Sequence, residues 1–129
     1  YLDSSSQNIA EREIFYETKK NTMNTIGAVY ISMDQETKAL EYFDKSLFYN
    51  RYLVDTSKVY SAYMNKGTIY RRLKDYNMAL KMFHLTRSND IEIGDTNSWA
   101  LVNINIGGVY NDLNIPDSSF KYFNELIEC

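Results

Sequence analysis

The chain has 129 residues, of which 44% are hydrophobic and 24% charged, and its net charge is −3. This composition is typical of a globular protein and excludes the disordered class. The acidic balance argues against a nucleic-acid surface, because phosphate binding needs a clustered excess of Lys and Arg. The one cysteine, Cys129, cannot form a disulfide framework or a thiolate metal cage.

No apolar run reaches the roughly 20 residues that a membrane-spanning helix needs, and the first residues lack the layout of a signal peptide. We therefore expect no membrane insertion by this chain. Because it starts at Tyr1 rather than at a methionine, we interpret it as a piece of a longer protein. The compartment, cytoplasmic or periplasmic, stays open.

One pattern recurs three times along the chain, with a period of 40. The segments GAVYISMDQETKALEYF (27–43), GTIYRRLKDYNMALKMF (67–83) and GGVYNDLNIPDSSFKYF (107–123) align without insertions. Each holds a glycine, a tyrosine three residues later, then a small residue and a phenylalanine. Only 5 glycines and 6 phenylalanines occur in the chain, so this register is a true repeat. Its twelve positions are Gly27, Tyr30, Ala39, Phe43, Gly67, Tyr70, Ala79, Phe83, Gly107, Tyr110, Ser119 and Phe123.

Each copy predicts two antiparallel helices, because apolar residues recur at spacings of three and four on both sides of a polar turn. The turns are expected around Asp34, Asp75 and Asn114. Pro116 fits the first turn of the helix that follows the third turn, where its missing N–H costs nothing.

Cap signals predict where the first helix of each copy begins. Asp55 and Asp95 lie one period apart and are expected to be the N-caps in the second and third copies. The equivalent residue in the first copy is Phe15, which is no cap. The first helix is therefore expected to begin earlier, near Ser4 and Gln7, which have capping-box spacing.

The recurring glycines need a structural reason, because glycine inside a helix costs about 1 kcal/mol relative to alanine. We expect the missing Cβ to let the second helix of the hairpin come close. The small residue on that second helix is expected to shorten the distance between the two helices further. The tyrosine and the phenylalanine are expected to fill the groove and dock onto the next hairpin.

This pattern resembles the tetratricopeptide repeat, W-x2-L-G-x2-Y followed by A-x3-F and P. Gly27 to Tyr30 and Ala39 to Phe43 match it, and the second copy matches equally. The resemblance implies an all-α fold, a right-handed α-α superhelix of three antiparallel helix hairpins. It further implies one domain over residues 1–129, with repeats at about 14–50, 54–90 and 94–129.

The sequence departs from that pattern in several respects, among them the Leu position, which holds Ile26, Lys66 and Ile106, and the closing position, which holds no Pro. The Trp position holds Met23, Tyr63 and Asn103, and the period is longer than the about 34 residues of the family. Lengthened repeats of this kind look like those of bacterial signalling proteins, including sensor regions joined to histidine kinases or DNA-binding regulators. The resemblance thus implies a module that binds a protein or a peptide.

The first helices of such repeats line a concave groove, so the resemblance implies a set of ligand positions. These positions are rich in amide side chains, which can pair with the backbone of an extended peptide. The alternative is that they are solvated polar residues of an Asn-rich chain. The groove positions are Asn21, Asn24, Thr25, Ala28, Ile31, Ser61, Met64, Asn65, Thr68, Arg71, Arg72, Leu101, Ile104, Asn105, Gly108 and Asn111.

The cationic run Arg71, Arg72 and Lys74 allows two interpretations. It could meet an anionic ligand, or it could interact with the dipole at the end of its helix, which we favour. His84, the only histidine, is expected to be structural, because one histidine cannot build a multi-histidine metal site and no activated nucleophile is evident. We expect no catalytic residue, cofactor or metal.

Two functions follow for the chain. The first is a protein- or peptide-binding module that serves as the sensor or interaction region of a bacterial signal-transduction protein. The alternative is a structural spacer or self-association element, in which exposed repeat ends such as FNELIEC at 123–129 contact another copy.

Overall fold

The computed structural model describes residues 4–56, 59–93 and 96–128, with the side chains of these residues except those at 60–61, 89–93, 96 and 128. The described residues form six α-helices and no strand, which confirms the predicted all-α class. The helices are α1 (Ser4–Ser32), α2 (Glu36–Asn50), α3 (Tyr60–Arg72), α4 (Tyr76–Ile93), α5 (Thr96–Asp112) and α6 (Pro116–Glu128).

The chain divides into two compact units, with the boundary between Ala62 and Tyr63. In the first unit, α1 packs against α2 around the fully buried Ala39 and Phe43. In the second unit, α5 packs against both α4 and α6. Its core contains Ala79 and Phe83 from α4 together with Val102, Ile106 and Val109 from α5. The prediction of one domain over residues 1–129 stays a prediction.

The three hairpin turns share one geometry. Asp34, Lys74 and Asn114 follow the ends of α1, α3 and α5 with φ of 55°, 61° and 61°. Around Lys74, the N–H of Asp75 donates to the carbonyl of Tyr70 and that of Lys74 donates to the carbonyl of Arg71. This pair of bonds is the Schellman motif, which satisfies the last carbonyls of a helix. The same two bonds recur at the equivalent positions of the first and third hairpins.

Turn residues mark the starts of α4 and α6. The side chain of Asp75 accepts a hydrogen bond from the N–H of Met78 at 3.2 Å, so Asp75 caps α4. Pro116 is the first residue of α6. The start of α1 at Ser4 also agrees with the early beginning predicted for the first helix.

The prediction that Asp55 caps α3 is wrong, because α3 begins only at Tyr60. Side chains of the first unit hold the connector instead. The N–H of Val54 donates to Oε1 of Glu13 at 3.0 Å, and Nδ2 of the buried Asn50 donates to the carbonyl of Thr56 at 3.1 Å. The predicted cap at Asp95 lies outside the described residues.

Candidate functional site

The recurring glycines each face the phenylalanine of their own hairpin. A Cβ on Gly67 would lie 2.5 Å from Cε1 of Phe83, and one on Gly107 would lie 2.6 Å from Cε1 of Phe123. Gly27 and Phe43 show the same arrangement at 2.8 Å. Glycine is therefore required for the ring of the second helix to lie flat against the first helix.

The small residue and the tyrosine of each copy complete this contact. Oγ of Ser119 donates to the carbonyl of Gly107 at 3.0 Å, which satisfies a buried hydroxyl. The ring of Tyr110 stacks on Tyr122 at 5.7 Å in the third hairpin. In the first hairpin, Tyr30 stacks on Tyr42 at 5.4 Å. The signature residues thus lie between the helices of a hairpin and leave other surfaces for a ligand.

In the first unit, the predicted groove positions lie mostly on an open surface of α1. Asn21, Thr25 and Ala28 are exposed, and Ile31 is half-buried. Asn21 also borders a cleft of about 310 Å³. The cleft is lined by Glu13, Ile14, Glu17, Thr18 and Asn21.

Two of these groove positions have other roles. Asn24 lines a small gap between α1 and α2 together with Ser46 and Asn50, and so faces the inside of the hairpin. The hydroxyl of Thr25 donates to the carbonyl of Asn21 in its own helix at 2.9 Å. The hydroxyl proton of Thr25 is therefore not available to a ligand in this conformation.

In the second unit, groove positions from α3 and α5 come together. Nδ2 of Asn105 lies 3.4 Å from Sδ of Met64 and donates to the carbonyl of Leu101 at 3.1 Å. Leu101 and Ile104 are about half exposed, at 52% and 48%. We call this surface the amide face. It consists of Met64, Asn65, Leu101, Ile104 and Asn105.

The amide face retains hydrogen-bonding capacity for a ligand. Within the described part of the chain, the carboxamide of the half-buried Asn65 makes no hydrogen bond. In its contacts with other described residues, Asn105 uses only its NH₂ group, which leaves its Oδ1 as an acceptor for a ligand. The exposed Asn111 lies farther along α5. Thr68 donates to the carbonyl of Met64, and the side chain of Ser61 lies outside the described residues.

Arg71 forms an ion pair with Asp112 that the sequence reasoning missed. Its Nε and Nη2 donate to the two carboxylate oxygens at 2.6 and 3.2 Å. A Cβ on Gly108 would lie 2.6 Å from Nη1 of Arg71, so glycine lets the guanidinium cross α5. Along the chain, Arg71 and Asp112 are separated by one period plus one position. A search for opposite charges about one period apart could have identified this pair from the sequence.

This pair bears on the two interpretations of the cationic run. Arg71 is already neutralised by a carboxylate, which weakens the case for an anionic ligand at this position. Arg71 and Arg72 do occupy the last turn of α3, where cations interact favourably with the helix dipole. Arg72 has an interaction partner of its own.

His84 lies in a polar cluster between α4 and α6. Burial lowers the pKa of its imidazole from 6.5, and the nearby Arg87 cation lowers that pKa further. Arg87 in turn pairs with Glu125 at 2.8 Å. Fully buried Asn103, at the Trp position of the repeat pattern, donates to the same carboxylate at 3.4 Å. Across the described residues, no group of three His, Cys, Asp or Glu is arranged to hold a metal.

Comparisons with known proteins agree with this geometry. The model of the tetratricopeptide repeat family matches residues 21–51 and 60–83. No curated protein matches the sequence. None of the helices in the described ranges is long and apolar enough to cross a membrane.

Two solved structures are similar in fold. The TPR domain of Arabidopsis FLU aligns with a TM-score of 0.79 and 15% identity, over 88% of this chain and 95% of that chain. MamA aligns with a TM-score of 0.46 and 15% identity, over 99% and 95%. At such identity the likeness to the FLU domain shows the fold alone. This similarity in fold confirms the predicted class of all-α helical-repeat solenoids.

Proposed function

We propose that this chain, which the tetratricopeptide repeat model matches at residues 21–51 and 60–83, binds an extended peptide segment of a partner protein on its amide face. The family fold supports a protein-interaction module. The observation that carries the proposal is the contact of Asn105 on α5 with Met64 on α3, the sequence neighbour of Asn65. Within the described residues, both asparagines keep hydrogen-bonding groups for a ligand.

The spacing of the two amides suits an extended peptide backbone. Packed helices lie about 8–10 Å apart, and an extended chain rises about 3.3 Å per residue. We propose that Asn65 and Asn105 pair with peptide groups about three residues apart. On α5, beside Asn105, the exposed Leu101 and Ile104 offer an apolar surface to one peptide side chain. Binding by this route involves no catalytic step, no cofactor and no nucleic acid.

Selection from a phage-displayed library of short linear peptides tests this function. Asn65→Ala and Asn105→Ala should each weaken the selected peptide about tenfold, because each removes one or two hydrogen bonds of about 1 kcal/mol. Asn77→Ala on α4 and Asn124→Ala on α6 are matched controls. Both remove an exposed helical asparagine elsewhere and should leave binding unchanged.

The controls also separate binding from folding. Alanine has a higher helix propensity than asparagine, so none of the four variants should lower the melting temperature through its helix. Peptides that bind Asn65→Ala and Asn105→Ala as tightly as the unchanged protein would contradict the amide face. A library that yields no binder would contradict peptide binding altogether.

The proposal extends to the role of the module. The lengthened period resembles that of repeats in bacterial signalling proteins, which supports a sensor or interaction region of a histidine kinase or a transcription regulator. Sequencing the reading frame on both sides tests this role. A kinase or DNA-binding segment would support it, and an unrelated enzyme domain would contradict it.

A further inference from the structure

Gly108 is a glycine that the repeat pattern does not explain. The signature glycine of the third copy is Gly107, and the counterparts of Gly108 in the first and second copies are Ala28 and Thr68. Glycine inside a helix is unfavourable relative to alanine, so a second glycine needs a reason of its own. The guanidinium of Arg71 supplies it, because a Cβ on Gly108 would lie 2.6 Å from Nη1 and 2.9 Å from Cζ. A residue that breaks a local rule in this way commonly belongs to a functional site.

This guanidinium lies on the same surface as the amide face. Spacings of four, three and four residues put one row of side chains on one face of α5, namely Leu101, Asn105, Gly108 and Asp112. Asn105 contacts Met64 of α3, 41 residues earlier. Arg71 of α3 likewise precedes its partner Asp112 by 41 residues. We call Arg71, Gly108 and Asp112 the ionic end of this surface.

The ionic end has both donors and acceptors left for a ligand. A guanidinium carries five N–H donors, and Asp112 accepts one from Nε at 2.6 Å and one from Nη2 at 3.2 Å. With the described residues Arg71 makes no further hydrogen bond, which leaves both N–H groups of Nη1 and one of Nη2. Each oxygen of Asp112 keeps a lone pair. About one third of each side chain is exposed, so a ligand can reach both.

The charge of the ionic end favours a neutral ligand group. A carboxylate of the ligand would be attracted by Arg71 and repelled by Asp112, and an ammonium group would meet the reverse situation. A carboxamide carries no net charge, and it has an acceptor oxygen beside a donor NH₂ group. It is therefore the side-chain group that complements both members of the pair at once.

We propose that the ionic end binds the carboxamide of an asparagine or glutamine side chain in the peptide. The carboxamide oxygen accepts from Nη1 of Arg71, and its NH₂ group donates to Asp112. This inference rests on the proposed function, because it concerns the same peptide. It makes Arg71 and Asp112 the residues that determine which peptides bind.

The row on α5 also predicts what stands next to this carboxamide in the peptide. Leu101 lies one turn before Asn105, and Gly108 lies one turn after it. The apolar surface and the ionic end are therefore on opposite sides of a peptide that crosses α5 at Asn105. Successive side chains of an extended chain point to opposite sides. Selected peptides should accordingly carry an apolar residue directly beside an asparagine or glutamine.

A reversal of specificity tests the proposal, with affinities measured by isothermal titration calorimetry. In a selected peptide, exchange of the carboxamide for the carboxylate of the same shape should weaken binding about tenfold, because the new charge lies beside Asp112. Asp112→Asn leaves Arg71 without its counter-charge and should bind the carboxylate peptide more tightly than the carboxamide peptide. Asp117→Asn is the matched control, since it removes a carboxylate from an exposed position of α6. This control should keep the preference for the carboxamide.

Gly108→Ala provides a second test that loss of folding cannot imitate. The added Cβ displaces the guanidinium of Arg71, so the carboxamide peptide should bind about tenfold more weakly. Alanine also has the higher helix propensity, so the melting temperature should not fall. Unchanged affinity in Gly108→Ala would contradict the placement of Arg71 at the ligand.

The outcomes separate this inference from the proposed function. If Asn65→Ala and Asn105→Ala weaken binding but the carboxylate peptide binds the unchanged protein as tightly as the carboxamide peptide, the amide face stands and the ionic end is wrong. The same holds if Asp112→Asn keeps the preference for the carboxamide. A library that yields no binder, or binders that are indifferent to both asparagines, would overturn the proposed function and this inference together.

Discussion

At the scale of single residues, two glycines illustrate two different uses of a missing Cβ. Gly67 makes room for the ring of Phe83, which is fully buried and cannot move aside. Gly108 makes room for the guanidinium of Arg71, which lies at the end of a flexible side chain and is about one third exposed. The same substitution should therefore have different effects at the two positions.

Gly67→Ala should lower the free energy of unfolding by about 1 kcal/mol, because overpacking by about 1–3 kcal/mol exceeds the gain in helix propensity of about 1 kcal/mol. Gly108→Ala should raise it by up to about 1 kcal/mol, because the gain in helix propensity remains, while Arg71 can swing away and a partly exposed ion pair contributes little. Urea denaturation measures both.

A third variant checks the cause at Gly67. In the Phe83→Leu background, where the smaller side chain relieves the contact, Gly67→Ala should cost less than it does alone. If Gly67→Ala lowers the free energy of unfolding equally in both backgrounds, the contact with Phe83 is not the cause of the loss.

His84 gives stability a dependence on pH. Burial, assisted by Arg87, lowers the pKa of the folded imidazole below 6.5. Below pH 6.5 the unfolded chain therefore binds more protons at this site than the folded chain does. The contribution of His84 to stability is complete above pH 6.5 and is lost as pH falls toward the lowered pKa. The free energy of unfolding should therefore decrease from about pH 7.5 to about pH 5.5.

His84→Gln should flatten this part of the pH profile, which urea denaturation at several pH values can measure. Tyr122→Phe is the control, because it changes a ring that lies 6.2 Å from that of His84 and leaves the imidazole in place. An unchanged slope in His84→Gln would contradict this assignment.

At the scale of elements, each hairpin turn depends on one residue in the left-handed region. No glycine occupies these positions. Asp34, Lys74 and Asn114 do, although a side chain there costs about 1 kcal/mol or more. Asparagine tolerates this conformation best and lysine gains nothing from it. The turn after α3 is therefore the most strained of the three.

Lys74→Gly should raise the free energy of unfolding by about 1 kcal/mol, because glycine adopts positive φ without a Cβ clash. Asn114→Gly should raise it less. Lys81→Gly is the matched control: it makes the same chemical change at an exposed position inside α4 and should lower stability by about 1 kcal/mol. Thermal denaturation compares all three, and a destabilised Lys74→Gly would contradict the turn geometry.

At the scale of the whole molecule, all five residues of the amide face belong to the second unit. The amide face combines carboxamides with two exposed aliphatic side chains, which suits a peptide backbone. Each chain should therefore bind one peptide, which isothermal titration calorimetry measures. A stoichiometry of two peptides per chain would contradict a single amide face.

Much of the fold could be predicted from the sequence, because local signals agree with the period of the repeat. Gly67 and Phe83 stand at the same interval as their counterparts, and Pro116 marks the start of α6. The prediction at Asp55 failed for a tertiary reason. Glu13 of α1, 41 residues before Val54, accepts a hydrogen bond from the connector. No local pattern reveals which distant side chain will take up such a backbone group.

The sequence by itself determined the repeat, the helical hairpins and the resemblance to the tetratricopeptide repeat, since these depend on spacings along one chain and on turn chemistry. Only the tertiary structure decided the partners of the charged and amide groups. Arg71 pairs with Asp112. Asn24 faces α2, and Asn105 contacts Met64. The physical reason is that a helical period places a side chain on a face, whereas its hydrogen bonds depend on how neighbouring helices pack.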